Sequence, residues 1–162
     1  MQDIEEMLAF LEFNEITYQR WDHPAVFTVE QVNELAIQLP GIHTKNLFLR
    51  DKKATRLFML VAPGNKVIDL KDIARKIGVN YLSFASKERL QENLGITAGS
   101  VSVLALINDP ACKVDVVFDE EVWQAEAITA HPLVNTSTLV ISRLDLERFL
   151  KITNHMPLFV KI

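Results

Sequence analysis

The chain has 162 residues, enough for one domain with a real hydrophobic core. Hydrophobic residues make up 49% and charged residues 23%, which excludes a disordered chain, and no apolar run reaches the length of a membrane span. The net charge of −4 excludes a general attraction to nucleic acid, so any such role requires a local basic patch.

The stretch from Met1 to Phe10 carries Asp3, Glu5 and Glu6 and no basic residue, which argues against a signal or transit peptide. A single cysteine, Cys112, leaves no internal disulfide and no cysteine-based zinc site. A cytoplasmic location is the expectation.

Ile4, Met7, Leu8 and Leu11 have the spacing of an amphipathic helix that ends at Asn14. Ile16 to Trp21 reads as a short strand, broken at His23-Pro24 because the residue before proline is pushed out of the helical region. Thr28 and Gln31 form a capping-box pattern, and Val32, Leu35, Ala36 and Leu39 mark a second helix stopped by Pro40-Gly41. Thr44 to Arg50 is a strand with Leu47 and Leu49 on one face, and Asp51 to Ala54 a hairpin turn. The continuous apolar run Leu57 to Ala62 suits a strand buried on both faces. After a turn at Pro63-Gly64-Asn65, Asp69 caps a helix with Leu70, Ile73, Ala74 and Ile77 inside and Gly78 as its stop.

Tyr81 to Phe84 is short and extended. Ser86 caps a helix that Gly95 ends, Val101 to Ile107 is predicted as a strand, and Asn108-Asp109-Pro110 as a turn. Val114, Val116 and Phe118 alternate in a further strand, and Asp119-Glu120-Glu121 favours a helix start. Leu139 to Ile141 is a strand, Ser142 caps a last helix burying Leu146, Phe149 and Leu150, and Leu158 to Ile162 closes the chain as a strand. With no linker or repeat, residues 1–162 read as one compact α+β domain: a curved, mixed, mostly antiparallel sheet surrounded by helices.

Three segments could meet at a site. Lys45-Asn46 opens a strand, where a lysine could hold a phosphate or a developing negative charge, or be an ordinary surface lysine. Gly95 to Asp109 carries two glycines four apart with Thr97, Ser100 and Ser102, a composition that lets a ligand approach the main chain. His131 with Asn135, Thr136 and Thr138 is a polar cluster between apolar strands. None of His23, His43, His131 and His155 pairs at metal-ligand spacing, and phosphate-loop, dinucleotide and nucleophile-elbow patterns are missing. Lys45, Arg50, Lys52, Lys53 and Arg56 form the nearest basic run.

Thr44-Lys45-Asn46-Leu47-Phe48-Leu49, Gly95 through Asp109 and His131-Pro132-Leu133-Val134-Asn135-Thr136 resemble the prolyl-tRNA editing-domain family, the YbaK/ProRS-associated domain, and are most similar to its free-standing Ala-tRNA(Pro) deacylases. The resemblance covers nearly the whole chain. It implies a compact α+β fold and hydrolysis of the ester of mischarged tRNA, without metal or organic cofactor. It implies that Lys45, Gly99 and His131 carry catalysis, with Gly99 opening the loop whose backbone holds the substrate. Asn46, Ser100, Val101, Ser102, Val103 and Asn135 would bind the substrate. The partners it implies are the acceptor end of tRNA(Pro) and prolyl-tRNA synthetase, with no membrane. This chain departs from the family at Ala98 and Val103, where proline is usual; each change removes a fixed φ and restores an N–H donor. Val103 is expected to face the pocket and keep it small.

The expected function is therefore a trans-editing aminoacyl-tRNA deacylase acting on Ala-tRNA(Pro). The alternatives are a non-catalytic aminoacyl-tRNA or amino-acid binding module and an unrelated small-molecule hydrolase.

Overall fold

The computed structural model describes residues 3–25 and 29–162. Asp3 caps the first helix, α1 (Ile4–Phe13), by accepting from the Glu5 amide at 2.6 Å, and Met7, Leu8 and Leu11 form its buried face. β1 (Tyr18–Asp22) follows, then α2 (Val29–Gln38); the capping residue expected at Thr28 lies outside the described residues.

β2 (Thr44–Arg50) and β3 (Leu57–Pro63) form an antiparallel hairpin in which Thr44 faces Pro63 and Arg50 faces Leu57. α3 (Leu70–Ile77), capped by Asp69 and stopped by left-handed Gly78, leads to the short β4 (Ser83–Phe84). Ser86 caps α4 (Lys87–Leu94). After the loop come β5 (Val114–Asp119), α5 (Glu120–Gln124), β6 (Ala127–Ala130), β7 (Ser137–Ser142), α6 (Arg143–Ile152) and β8 (Leu158–Val160).

The strands make two sheets where one was expected. A five-stranded sheet has the order β4-β2-β3-β5-β8, with β3, β5 and β8 mutually parallel, and a three-stranded antiparallel sheet has the order β1-β7-β6. β3 is buried on both faces because it divides two cores. Leu57, Met59 and Val61 enter the larger core with α1, α4, α6 and the inner face of the small sheet, while Phe58 and Leu60 enter a smaller core with Ile73 and Ala74 of α3.

The sheets are joined at one seam. Ile42 donates to the Ala127 carbonyl at 2.9 Å and accepts from Thr129 at 3.1 Å, and Thr44 Oγ1 donates to the Thr129 carbonyl at 2.7 Å. Gly41 makes this approach possible: its φ is +83°, and a Cβ there would stand 2.9 Å from the Ala127 oxygen.

One element differs in kind from the sequence expectation. Val101 to Ile107 is not a strand; Val103–Asn108 winds as a 3₁₀ helix, with Ser102 Oγ accepting from the Leu104 amide at 3.2 Å. Val103, Leu104, Ala105 and Leu106 are all buried in the larger core. A helical turn satisfies its own backbone there, as in the Ser102–Ala105 and Leu106–Asp109 bonds of 3.0 Å, and a short apolar run does not distinguish the two conformations by period. The turn after it is held by Asp109, whose carboxylate accepts from the Lys113 and Val114 amides and meets buried His155 at 3.1 Å. Among the described residues, no helix is long and apolar enough to cross a membrane.

Candidate active site

A cavity of about 220 Å³ opens beside the seam between the sheets. Its floor is His43 and the start of β2, with Thr44 and Asn46; β6, β7 and the segment between them contribute Thr129, Ala130, His131, Asn135 and Thr138. Gly99 closes one side. The roof is α2 and the residue after it, through Val32, Leu35 and Leu39. These three belong to neither core, so the apolar stripe that marks α2 in the sequence covers the cavity instead of filling the interior.

Strand alternation decides which β2 residues serve the site. Thr44, Asn46 and Phe48 share the face toward the small sheet and the larger core; Lys45, Leu47 and Leu49 share the other. The structure therefore does not bring Lys45 into the cavity, and its ammonium donates to the Lys66 carbonyl. Asn46 is fixed by its side-chain oxygen, which accepts from the Val103 amide at 3.0 Å. Its amide NH₂ is then the half available to a ligand. On the facing side, a Cβ added to Gly99 would sit 3.7 Å from Asn135 Nδ2.

The rest of the glycine loop stands back. Ser100 is buried and its N–H donates to the Thr97 carbonyl at 3.0 Å, Ser102 caps the 3₁₀ helix, and Val101 packs against the core. Val103 is fully buried in the larger core. The expectation that its side chain faces the pocket is thus corrected: its N–H, one residue into the helix, is what reaches the site's neighbour Asn46. Of the nine residues anticipated for the site, Asn46, Gly99, His131 and Asn135 line the cavity; Lys45, Ser100, Val101, Ser102 and Val103 do not.

The histidines are ordered around it. His131 Nδ1 lies 3.2 Å from the Ser137 carbonyl, which can only accept, so that nitrogen carries the proton and Nε2 is left with its lone pair. His23, outside the cavity, reaches the Thr138 hydroxyl at 2.8 Å. Burial pulls His43 and His131 below the ordinary histidine range. At His43 the neighbouring His131 adds to the effect; at His131 the bond to Ser137 opposes burial and His23 reinforces it. Both imidazoles are neutral near pH 7. Among the described residues, no cluster of three or more His, Cys, Asp or Glu is placed to hold a metal.

Thr138 belongs to the polar cluster named with His131, whereas His43, Thr44, Thr129, Ala130, Val32, Leu35 and Leu39 were not anticipated as site residues. His43 and Thr44 directly precede the Lys45-Asn46 motif, so proximity in sequence was a usable signal. The α2 stripe had none, because a pocket roof and a core-facing helix share one pattern.

The aminoacyl-tRNA editing domain profile matches residues 23–149, which takes in every cavity residue. The prolyl-tRNA editing protein ProX of Acetoanaerobium sticklandii is 39% identical over 145 residues, covering 90% of this chain and 88% of that protein. The prolyl-tRNA synthetase associated domain-containing protein 1 of Danio rerio is 36% identical over 157 residues, covering 96% and 85%. A crystal structure described as that of a proposed trans-editing enzyme for prolyl tRNA synthetase superposes with a TM-score of 0.70 over 100% of this chain and 99% of that one; at 16% identity it speaks to the fold alone. The match over most of its length places the chain in the aminoacyl-tRNA editing domain family.

Proposed function

We propose that this chain, as a single cytoplasmic domain, is a trans-editing deacylase that hydrolyses the ester of mischarged tRNA(Pro), with alanyl-tRNA(Pro) as its substrate. The observation that carries the reading is the cavity. At about 220 Å³ it is smaller than the roughly 300–1,000 Å³ of sites that enclose drug-sized ligands, so it takes an aminoacyl group and leaves the nucleotide outside. The similarity to a prolyl-tRNA editing protein supports the choice of tRNA. Prolyl-tRNA synthetase is the proposed partner because it supplies the mischarged molecule.

The ester is already activated, so modest means suffice. The Asn46 and Asn135 amides offer donors from two sides to the carbonyl oxygen as charge develops on it. His131, neutral and held by Ser137, positions the acyl group. Lys45 lies at the same end of β2 on the opposite face and serves the phosphates of the acceptor end. A synthetase site built for proline discriminates against a smaller side chain by only about 1–3 kcal/mol per methylene, and a second site that admits alanine and excludes proline corrects the error. The walls that set this size are Leu35, Leu39, Gly99 and Asn135.

One observation favours a second reading. Of the Gly99 and Ser100 amides that could hold the aminoacyl carbonyl, the Ser100 amide is occupied within the protein by the Thr97 carbonyl, so the glycine loop does not present both as free donors. A binding module would need no such pair. Incubation with alanyl-, cysteinyl- and prolyl-tRNA(Pro) separates the two: release of alanine with retention of proline supports the deacylase, and binding of alanyl-tRNA without release of any amino acid supports the module.

A further inference from the structure

We propose that His43 is the general base of the deacylation, taking the proton from the water that attacks the ester carbonyl. The inference rests on the deacylase reading and adds a residue to it. His43 lines the cavity directly, at the seam, and among the described residues no hydrogen bond claims its ring. Its position is set by shape: the ring packs on Gly64, where a Cβ would come within 2.2 Å of Cδ2 and 2.8 Å of Nε2. The Cδ2–Nε2 edge is therefore closed off by the turn, and Nδ1 is the nitrogen on the far edge.

The surroundings keep this imidazole a base. His131 lines the same cavity, and a second positive charge beside it is unfavourable; the α2 residues over the cavity are apolar. In the turn behind the ring, the Lys66 ammonium is paired with Asp119 at 2.6 Å and Glu121 at 2.8 Å, and the Lys45 ammonium is bound to the Lys66 carbonyl. His131 is less suited to the step, since one of its nitrogens is committed to Ser137 and that bond fixes the ring.

The step balances with water alone. The water oxygen bonds to the acyl carbon, its proton passes to His43 Nδ1, and the carbonyl electron pair moves to the oxygen held by the Asn46 amide. On collapse the carbonyl re-forms, the bond between the acyl carbon and the ribose oxygen breaks, and that oxygen takes the proton back from the imidazolium. Free amino acid and tRNA with its terminal hydroxyl restored leave the site.

The test is single-turnover release of alanine from alanyl-tRNA(Pro) at saturating protein, followed from pH 5 to 8. The wild type is expected to lose rate with unit slope on the acid side, below an apparent pKa under the ordinary 6.5 of histidine. His43→Gln is expected to fold, to bind tRNA within a few-fold of the wild type, to lose about 10²-fold or more in rate, and to lose the acid limb. Gly64→Ala, which displaces the ring without deleting it, is expected to lower the rate while keeping a limb. His131→Gln is expected to keep the limb. An acid limb that persists in His43→Gln, or that vanishes in His131→Gln alone, overturns the proposal while leaving the deacylase reading intact. A wild type that releases no amino acid overturns the reading on which it rests.

Discussion

Gly99→Ala tests how the cavity measures its substrate. Gly99 does not occupy the left-handed region, and a Cβ built on it meets only Asn135 Nδ2, at 3.7 Å, an ordinary van der Waals contact. The substitution therefore fits without strain, and the melting temperature should hold. The methyl group projects into the cavity, and if it takes up about the volume of a water molecule, roughly 30 Å³, it removes on the order of one seventh of the 220 Å³ available. A difference of one methylene in such a pocket corresponds to about 1–3 kcal/mol, or roughly 10- to 200-fold. Because Val103 faces the core, the wild-type cavity should tolerate serine and cysteine beside alanine. The variant should release cysteine from cysteinyl-tRNA(Pro) at least about 10-fold more slowly than the wild type, with alanine slowed by less than about 3-fold. The assay is the paired single-turnover rate on both substrates. Equal slowing of the two, or no change in either, refutes the assignment of Gly99 as a size-setting wall.

Asn46→Asp retains the acceptor for the Val103 amide and so should keep its stability, but it replaces the donor half with a carboxylate oxygen and should cost about 10²–10³-fold in turnover. Asn46→Ala should lose both, adding a destabilisation of about 1–3 kcal/mol from the buried, unpaired Val103 N–H; urea denaturation distinguishes the pair. Lys45→Ala should weaken tRNA binding and reduce the slope of log K against log salt by about 0.7–0.9, with the saturated rate changed by less than about 10-fold, because the side chain stands on the opposite face of β2 from the cavity. The folded-state values of His43 and His131 lie below the unfolded value, so the unfolded chain takes up more protons on acidification. Their contribution to stability should be complete above about pH 6.5 and decline as the pH falls from there through the folded-state values; denaturation curves at pH 7.5 and 5.0 measure it, and His131→Gln should reduce the difference. Cys112→Ser should leave deacylation unchanged, since Cys112 is exposed and its thiol reaches the Thr153 and Asn154 carbonyls, away from the cavity.

Much of the fold was legible because local chemistry and tertiary role agree. Asp69, Ser86 and Ser142 cap the helices they were expected to cap, Gly78 and Gly95 end helices in left-handed conformation, and the apolar run from Leu57 is buried on both faces. The 3₁₀ helix at Val103–Asn108 was not legible, because its four consecutive apolar residues are buried in every direction and carry no period. Of the residues taken from the motifs, Asn46 and His131 line the cavity, and Lys45 does not, because a motif names adjacent residues and a strand sends adjacent side chains to opposite faces. The α2 roof was hidden for a different reason: Val32, Leu35 and Leu39 have core spacing, and only the tertiary structure shows an empty space beneath them.

The seam at Gly41 to Thr44 has a consequence for how this chain can acquire new preferences. The cavity takes some of its walls from one sheet and some from the other, so its width is the gap between two separate bodies, and the few hydrogen bonds around Ile42 and Thr129 act as the joint of a caliper. Gly41 sets how far that joint can close, since any side chain there would meet the Ala127 carbonyl. A lineage can then retune which amino acid is removed through changes at the joint, with every wall residue retained. Surveys that look for altered preference only among residues touching the substrate would overlook that route.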